Sequence, residues 1–358
     1  MKMNSRLAQV RQSLASWHVD GLLVTSQANR RWLSGFTGSS AMLLVTKDHA
    51  ILSTDSRYWE QAAREAPEFI IYRSSSNPDN LANFLAMGEV GRIGIEAKYV
   101  SVADHRKYKS LKNFQWKALN TTLEPYRSIK SEDELNLIRQ AARITDETVS
   151  RFPQMASPGI SERALAWELE KTMRDLGADR PGFDIIVASG PNSALPHHHP
   201  GDRRLERGDL IVVDLGSEVG GYRSDLTRTF YLGGSPDENF WNIYNTVASA
   251  QQAAIDGIRS GVNGKHVDAL ARDRIASAGH GDHFGHGTGH SLGLEIHEYP
   301  RFSVLSEKEI IQAGMVMTVE PGIYLPGYGG VRIEDLVLVT LEGYELLSRA
   351  PKSPVIPS

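Results

Sequence analysis

Apolar positions Leu7, Val10, Leu14 and Trp17 recur at helical spacing between Ser5 and about His18. Three short apolar runs follow, Gly21–Val24, Ala41–Val45 and Ala50–Leu52, separated by Gly, Ser, Thr and Asp, and these read as strands. A helical segment begins near Ser56 and stops before Pro67; another covers Asn80–Met87, and Arg92–Glu96 is strand-like. Strands alternating with helices over the first ~120 residues predict a small α/β domain.

The texture changes at Leu123–Ser128. Ser131 and Glu134 then have the spacing of a capping box, so a long amphipathic helix should run toward Pro153 with Leu135, Ile138, Ala142 and Thr145 on one face. The boundary falls near Pro125, dividing the chain into domains 1–125 and 126–358. A helix over Ser161–Leu176 precedes glycine-dense sequence with strands around Asp209–Leu215, Ser224–Tyr231, Met315–Glu320 and Val331–Thr340. These imply a curved antiparallel sheet, covered on one face by helices Glu238–Ile258 and Val267–Ala278. The final residues 351–358, rich in proline, read as a poorly ordered tail.

Composition narrows the chemistry. A length of 358 residues favours two domains. With 39 basic against 43 acidic residues, nothing in the charge calls for nucleic acid or an anionic membrane as partner. No run approaches membrane-spanning length and the first 21 residues lack a signal-peptide core, so a cytoplasmic location is expected. Cysteine is absent, which excludes disulfides, thiolate metal sites and a cysteine nucleophile. A metal would be held by carboxylates and imidazoles, a ligand set suited to Mn²⁺, Co²⁺ or Zn²⁺.

Four segments carry candidate ligands. A two-residue turn at Gly220–Gly221 makes a hairpin in which Asp214 lies opposite Thr227, with Asp225 diagonal to it on the same face. Either aspartate alone reads as a strand end or a solvated turn. Asp214, however, terminates the run Leu210–Val213, where an unpaired charge is expensive to desolvate and a cation would relieve the cost. The second segment, His286–Glu298, places His286, His290 and His297 among glycines, which argues against a helix carrying two ligands. In the third, Glu320 closes an apolar strand before Pro321-Gly322. In the fourth, Arg332 and Glu334 are expected to share one strand face. Asp214, Asp225, His290, Glu320 and Glu334 form an oxygen-rich set able to hold two divalent ions.

In this order, Val213–Gly216, Tyr222–Phe230, His286–His290, Thr318–Gly322 and Val331–Asp335 resemble the pita-bread metallopeptidases. That group includes Xaa-Pro aminopeptidase (aminopeptidase P), Xaa-Pro dipeptidase (prolidase), methionine aminopeptidase and creatinase. The first 125 residues, with Leu33–Ser39 and Thr54–Tyr58, resemble the creatinase-type N-terminal domain, which methionine aminopeptidases lack. Creatinase lacks the metal carboxylates that are present here.

The resemblance implies an α/β (α+β) fold: a small creatinase-type N-terminal domain followed by a pita-bread catalytic domain. It implies two divalent ions, Mn²⁺ first, held by Asp214, Asp225, His290, Glu320 and Glu334, with Asp225 and Glu334 shared between them. His197, His297 and Glu320 take catalytic roles; His198 and His199 extend the segment ending in His197. His286 would line the proline pocket, and Arg332 would orient a carboxylate ligand. The implied activity is removal of the residue before proline from short proline-containing peptides, by a homodimer. Arg301 suits a clamp for a dipeptide's carboxylate, so a prolidase is the alternative, and a non-catalytic peptide-binding module a remoter one.

Overall fold

The structure, a computed structural model, describes residues 3–357. The chain divides into two compact units that part between Arg127 and Ser128.

The first unit is built on a six-stranded mixed sheet ordered Ile70–Arg73, Ala50–Thr54, Met42–Thr46, Gly21–Val24, Arg92–Glu96 and Gln115–Leu119. Its core gathers Leu23, Leu44, Ile51, Phe84, Ile93 and Ile95. The alternation read from the sequence is therefore an α/β domain. The helix expected from Ser56 starts only at Trp59, because the Asp55 side chain accepts from the Arg57 N–H and guanidinium and holds 56–58 in a turn. Helix Gln27–Ser34 is an addition to the reading, although its signals were present: Ser26 caps it and Gly35 ends it at φ 77°.

In the second unit the capping box forms as expected. Ser131 Oγ accepts from the Glu134 N–H, Glu134 reaches back to Ser131, and helix Glu132–Met155 carries Pro153 in its last turn. With helix Glu162–Asp175 it buries Phe152, Leu165 and Leu169 against Ile211, Val213 and Phe230 of the neighbouring strands. Helices Glu238–Asp256 and Gly264–Ser277 bury Phe240, Val247 and Val267 against Met317, Val319, Val331 and Val337. Sheet structure thus lies between two helix pairs.

Among the described residues that β-structure forms four sheets, antiparallel throughout except where Leu226–Leu232 pairs with Val355–Ile356. One is ordered Val355–Ile356, Leu226–Leu232, Leu210–Leu215, Ile186–Ser189; another is Glu298–Phe302, Gly289–Ser291, Val316–Val319, Asp335–Val339, Tyr344–Leu346. The hairpin forms in the expected register, with Val219 opposite Tyr222 and Asp214 opposite Thr227, around Gly220 (φ 56°) and Gly221 (φ 82°). It bends midway. A Cβ on Gly216 would lie 1.9 Å from the Ser224 carbonyl oxygen, so only glycine permits this approach.

Two expectations are corrected. Val331–Thr340 is not one strand but two, Gly329–Arg332 and Asp335–Val339, in different ladders. The chain leaves the ladder at Ile333–Glu334 because its backbone is claimed elsewhere: the Glu334 N–H donates to Thr227 O and the Arg332 N–H to Thr229 Oγ1. The C-terminal residues are not a loose tail. Val355–Ile356 pairs with Tyr231–Leu232, and Ile356 is buried. Prolines 351 and 354 lack N–H donors, but their carbonyls accept from Arg228 Nε and the Tyr231 N–H. Lys352 adds an ion pair to Asp335 at 2.6 Å. Truncating Ile356→Ala should cost about 3 kcal/mol, read as a lower urea midpoint at unchanged slope. A midpoint within error of wild type would return these residues to a dispensable tail.

Candidate metal centre

The ten residues singled out from the sequence come from separate elements, yet all of them line one cavity of about 650 Å³ in the second unit: His197, Asp214, Asp225, His286, His290, His297, Arg301, Glu320, Arg332 and Glu334. Asp214 belongs to strand Leu210–Leu215, and Asp225 occupies the gap between Tyr222–Arg223 and Leu226–Leu232. The gap arises where Ser224 leaves the ladder, its hydroxyl taking the Ser217 N–H and pairing with Thr145 Oγ1. Glu334 stands at the corner between two strands. Each of these three carboxylates offers an oxygen within 4.8 Å of the other two.

His290 extends the cluster. Its Nε2 lies 3.7 Å from Asp225 Oδ2 and 3.4 Å from Glu320 Oε1. Its Nδ1 lies 3.1 Å from Ser291 O, which can only accept, so Nδ1 carries the proton and the Nε2 lone pair faces the carboxylates. Glu320 follows strand Val316–Val319 and accepts from Thr318 Oγ1; its own N–H donates to Thr288 O. Asp225 thus touches the Asp214–Glu334 group on one side and His290 on the other.

Four carboxylates are here held against a single bonded guanidinium, Arg332, whose Nη2 donates to Asp214 Oδ2 at 2.7 Å. Burial, then mutual repulsion, drives the Asp225 and Glu334 carboxyls well above the ordinary carboxylate range. Burial likewise raises Asp214 and pushes Glu320 up to about 7. The same desolvation lowers His290 to about 3, keeping its imidazole neutral and ready to donate a lone pair. Asp214 Oδ1 and Glu334 Oε1 are buried with no hydrogen-bond partner. A buried carboxylate oxygen left unpaired is expensive, and divalent cations answer both the missing partner and the crowded charge. The donor set, oxygens plus one imidazole nitrogen, fits hard or borderline ions.

Around this centre the other candidates separate. Both nitrogens of His286 are engaged, Nδ1 with Gly287 O at 2.8 Å and Nε2 with Tyr324 Oη at 2.9 Å, so it offers the cavity a ring face. Tyr324 in turn accepts from Arg332 Nη1. The His297 ring centroid lies 4.4 Å from that of His290. His198 bonds Glu162 Oε2 through Nε2 at 2.8 Å, a commitment His197 does not share. Tyr324 and Thr227, whose hydroxyl donates to Glu334 Oε2 at 2.6 Å, were missed from the sequence. Thr227 was legible in principle, since the hairpin register sets it opposite Asp214; Tyr324 carried no signal.

The description of metallopeptidase family M24 matches residues 136–341, and that of the creatinase/prolidase N-terminal domain matches residues 6–129. The chain belongs to metallopeptidase family M24, hydrolases that work with divalent metal ions. An uncharacterised peptidase of Bacillus subtilis is 40% identical over 98% of this chain and 99% of its own length. Among solved structures, an Xaa-Pro dipeptidase from Bacillus anthracis aligns with a TM-score of 0.96 at 37% identity, covering 99% of each chain. An X-Pro aminopeptidase from Thermotoga maritima aligns at 0.90 and 34% identity, covering 98% of this chain and 99% of its own. Among the described residues, no helix is long and apolar enough to cross a membrane.

Proposed function

We propose that the chain is a dinuclear-metal exopeptidase that cuts the N-terminal Xaa-Pro bond of short peptides, an Xaa-Pro aminopeptidase. One observation carries the reading: four carboxylates and a neutral imidazole converge on one cavity wall, with two buried carboxylate oxygens left without a partner. Asp214, Asp225, His290, Glu320 and Glu334 would hold two ions, Mn²⁺ foremost with Co²⁺ or Zn²⁺ as alternatives. When bound, the ions supply Lewis acidity and make water a nucleophile near neutral pH.

The protein's own groups do the rest. Glu320 accepts a proton from the attacking water at a carboxylate oxygen and delivers it to the proline nitrogen as that nitrogen leaves. His297 donates a hydrogen bond to the oxygen that gains negative charge, and His197 brings a second imidazole to the reacting bond. Arg332 fixes Asp214 and, through Tyr324, the ring of His286, whose face suits a prolyl ring. Relatives named as acting on Xaa-Pro bonds support this choice of substrate. The reading extends to a cytoplasmic homodimer, with sedimentation deciding the subunit count.

Arg301 favours a second reading. It lines the cavity and suits a clamp for the carboxylate of a dipeptide, as in a prolidase. Turnover of Xaa-Pro and Xaa-Pro-Yaa-Zaa by Mn²⁺-loaded protein separates the two. The aminopeptidase reading expects rapid cleavage of the tetrapeptide, and an Arg301→Ala change in its kcat/KM of less than about threefold. Cleavage of dipeptides alone, with KM raised about tenfold or more by Arg301→Ala, would put the prolidase in its place; tenfold corresponds to roughly 1.4 kcal/mol, within the worth of a charge-assisted bond.

A further inference from the structure

Glu162 opens helix Glu162–Asp175, is fully buried, and stands apart from the carboxylates of the cavity wall. Its two oxygens are nevertheless the most heavily used in the neighbourhood of His197. Oε1 accepts from the Ser189 N–H at 2.8 Å, from Ser189 Oγ at 2.7 Å and from Asn192 Nδ2 at 3.0 Å. Oε2 meets His198 Nε2 at 2.8 Å and accepts from the Gly201 N–H at 3.1 Å. One carboxylate therefore ties both ends of the segment from Ser189 to Gly201.

That segment needs such ties. After Ser189, which ends strand Ile186–Ser189, the short 3₁₀ turn Gly190–Ala194 is its one regular element among the described residues, and residues 196–201 read Pro-His-His-His-Pro-Gly. With no ladder to set the backbone, side-chain anchors decide where it runs. On the side before His197, Pro196 O accepts from Arg332 Nη1 at 3.3 Å, and Ser193 Oγ accepts from the Gly330 N–H at 2.9 Å. On the side after it, His198 and Gly201 are held by Glu162. Burial works against the Glu162 charge, but the bonds from Asn192, His198 and Ser189 outweigh it and hold the carboxyl at about 2, so the anchor is ionised at neutral pH.

We infer that Glu162 is a positioning residue for His197: by gathering Ser189, Asn192, His198 and Gly201 onto one buried carboxylate, it sets where the His197 imidazole meets the substrate. The inference rests on the reading that His197 acts at the reacting bond. A group displaced by about 1 Å can cost on the order of 100-fold in rate, so the anchor should show in kcat. In Glu162→Gln the amide keeps an acceptor for the Ser189 and Asn192 limb but turns an NH₂ group toward the Gly201 N–H.

The test is a double-mutant cycle on Mn²⁺-loaded full-length protein with an Xaa-Pro-Yaa-Zaa substrate. Glu162→Gln should lower kcat on the order of 10–100-fold with KM within about threefold and Mn²⁺ affinity by calorimetry unchanged. His197→Ala should lower kcat as well. In the His197→Ala background, adding Glu162→Gln should cost nothing further, because the residue it positions is gone. Should Glu162→Gln fail to fold, His198→Ala removes one limb only; its loss of about fivefold, the order expected of one hydrogen bond, should likewise vanish in the His197→Ala background. Losses that multiply in both backgrounds would make the carboxylate a general structural group and overturn the inference. Full turnover by His197→Ala alone would instead overturn the reading beneath it, and the inference with it.

Discussion

Glu320→Gln is expected to lower kcat by about a thousandfold, the middle of the range for losing a general base. The substitution keeps shape and one acceptor oxygen, so Thr318 Oγ1 still has a partner, but it removes the group that can take up a proton. Burial pushes the Glu320 carboxyl up to about 7, which suits a group that must accept and release a proton near neutral pH. Because Glu320 also faces His290 Nε2 at 3.4 Å, metal content must be measured in the same preparation. A glutamine variant that retains its metal and turns over within tenfold of wild type removes Glu320 from the proton path.

Stripping the metal with EDTA is the second large effect. Turnover should fall to background and return with Mn²⁺. Stability should move with it. Mn²⁺ at a hundred times its dissociation constant adds about 2.7 kcal/mol to the folded state. In the metal-free protein the sign of the pH dependence follows from raised carboxyl groups. Glu320 is raised from 4.5 to about 7 by burial, and Asp225 and Glu334 are raised in the same direction by burial and by the neighbouring carboxylates. Between the ordinary carboxylate value and neutrality the folded state therefore binds more protons than the unfolded chain. Stability is fullest below about pH 4.5 as far as these groups are concerned, and is lost as the pH rises toward 7 and beyond. Buried His286 and His290, lowered from 6.5 to about 4 and about 3, act in the opposite sense below pH 6.5, so the carboxyl contribution is read above it: urea midpoints of the metal-free protein should be lower at about pH 8.5 than at about pH 7, and Mn²⁺ should narrow the difference. A metal-free protein that gains stability over this interval, or one that still hydrolyses peptides at full rate, would sink the cation-centre reading.

Much of the candidate metal centre was legible in short stretches of sequence. The pairing of Asp214 with Thr227 follows from one glycine pair, because a two-residue turn sets the register of everything that follows it at period two. The capping box at Ser131 and the buried face of Leu135, Ile138 and Ala142 are equally local. Such features depend on neighbours a few residues apart, where backbone geometry leaves few alternatives.

Other features needed the folded chain. Strand alternation assigns Arg332 and Glu334 to a common face, yet the strand breaks between them, and both reach the cavity because Thr227 and Thr229 of another ladder take their backbone groups. Which of three consecutive histidines is committed elsewhere was decided by Glu162, thirty-six residues before His198. The proline-rich C-terminus lacks donors and so reads as loose, but its carbonyls find Arg228 and Tyr231. In each case the deciding partner is remote along the chain. Local sequence determined which groups this protein carries and how each turn presents them; the packing of distant strands, which must satisfy buried polar groups one by one, decided which of those groups meet.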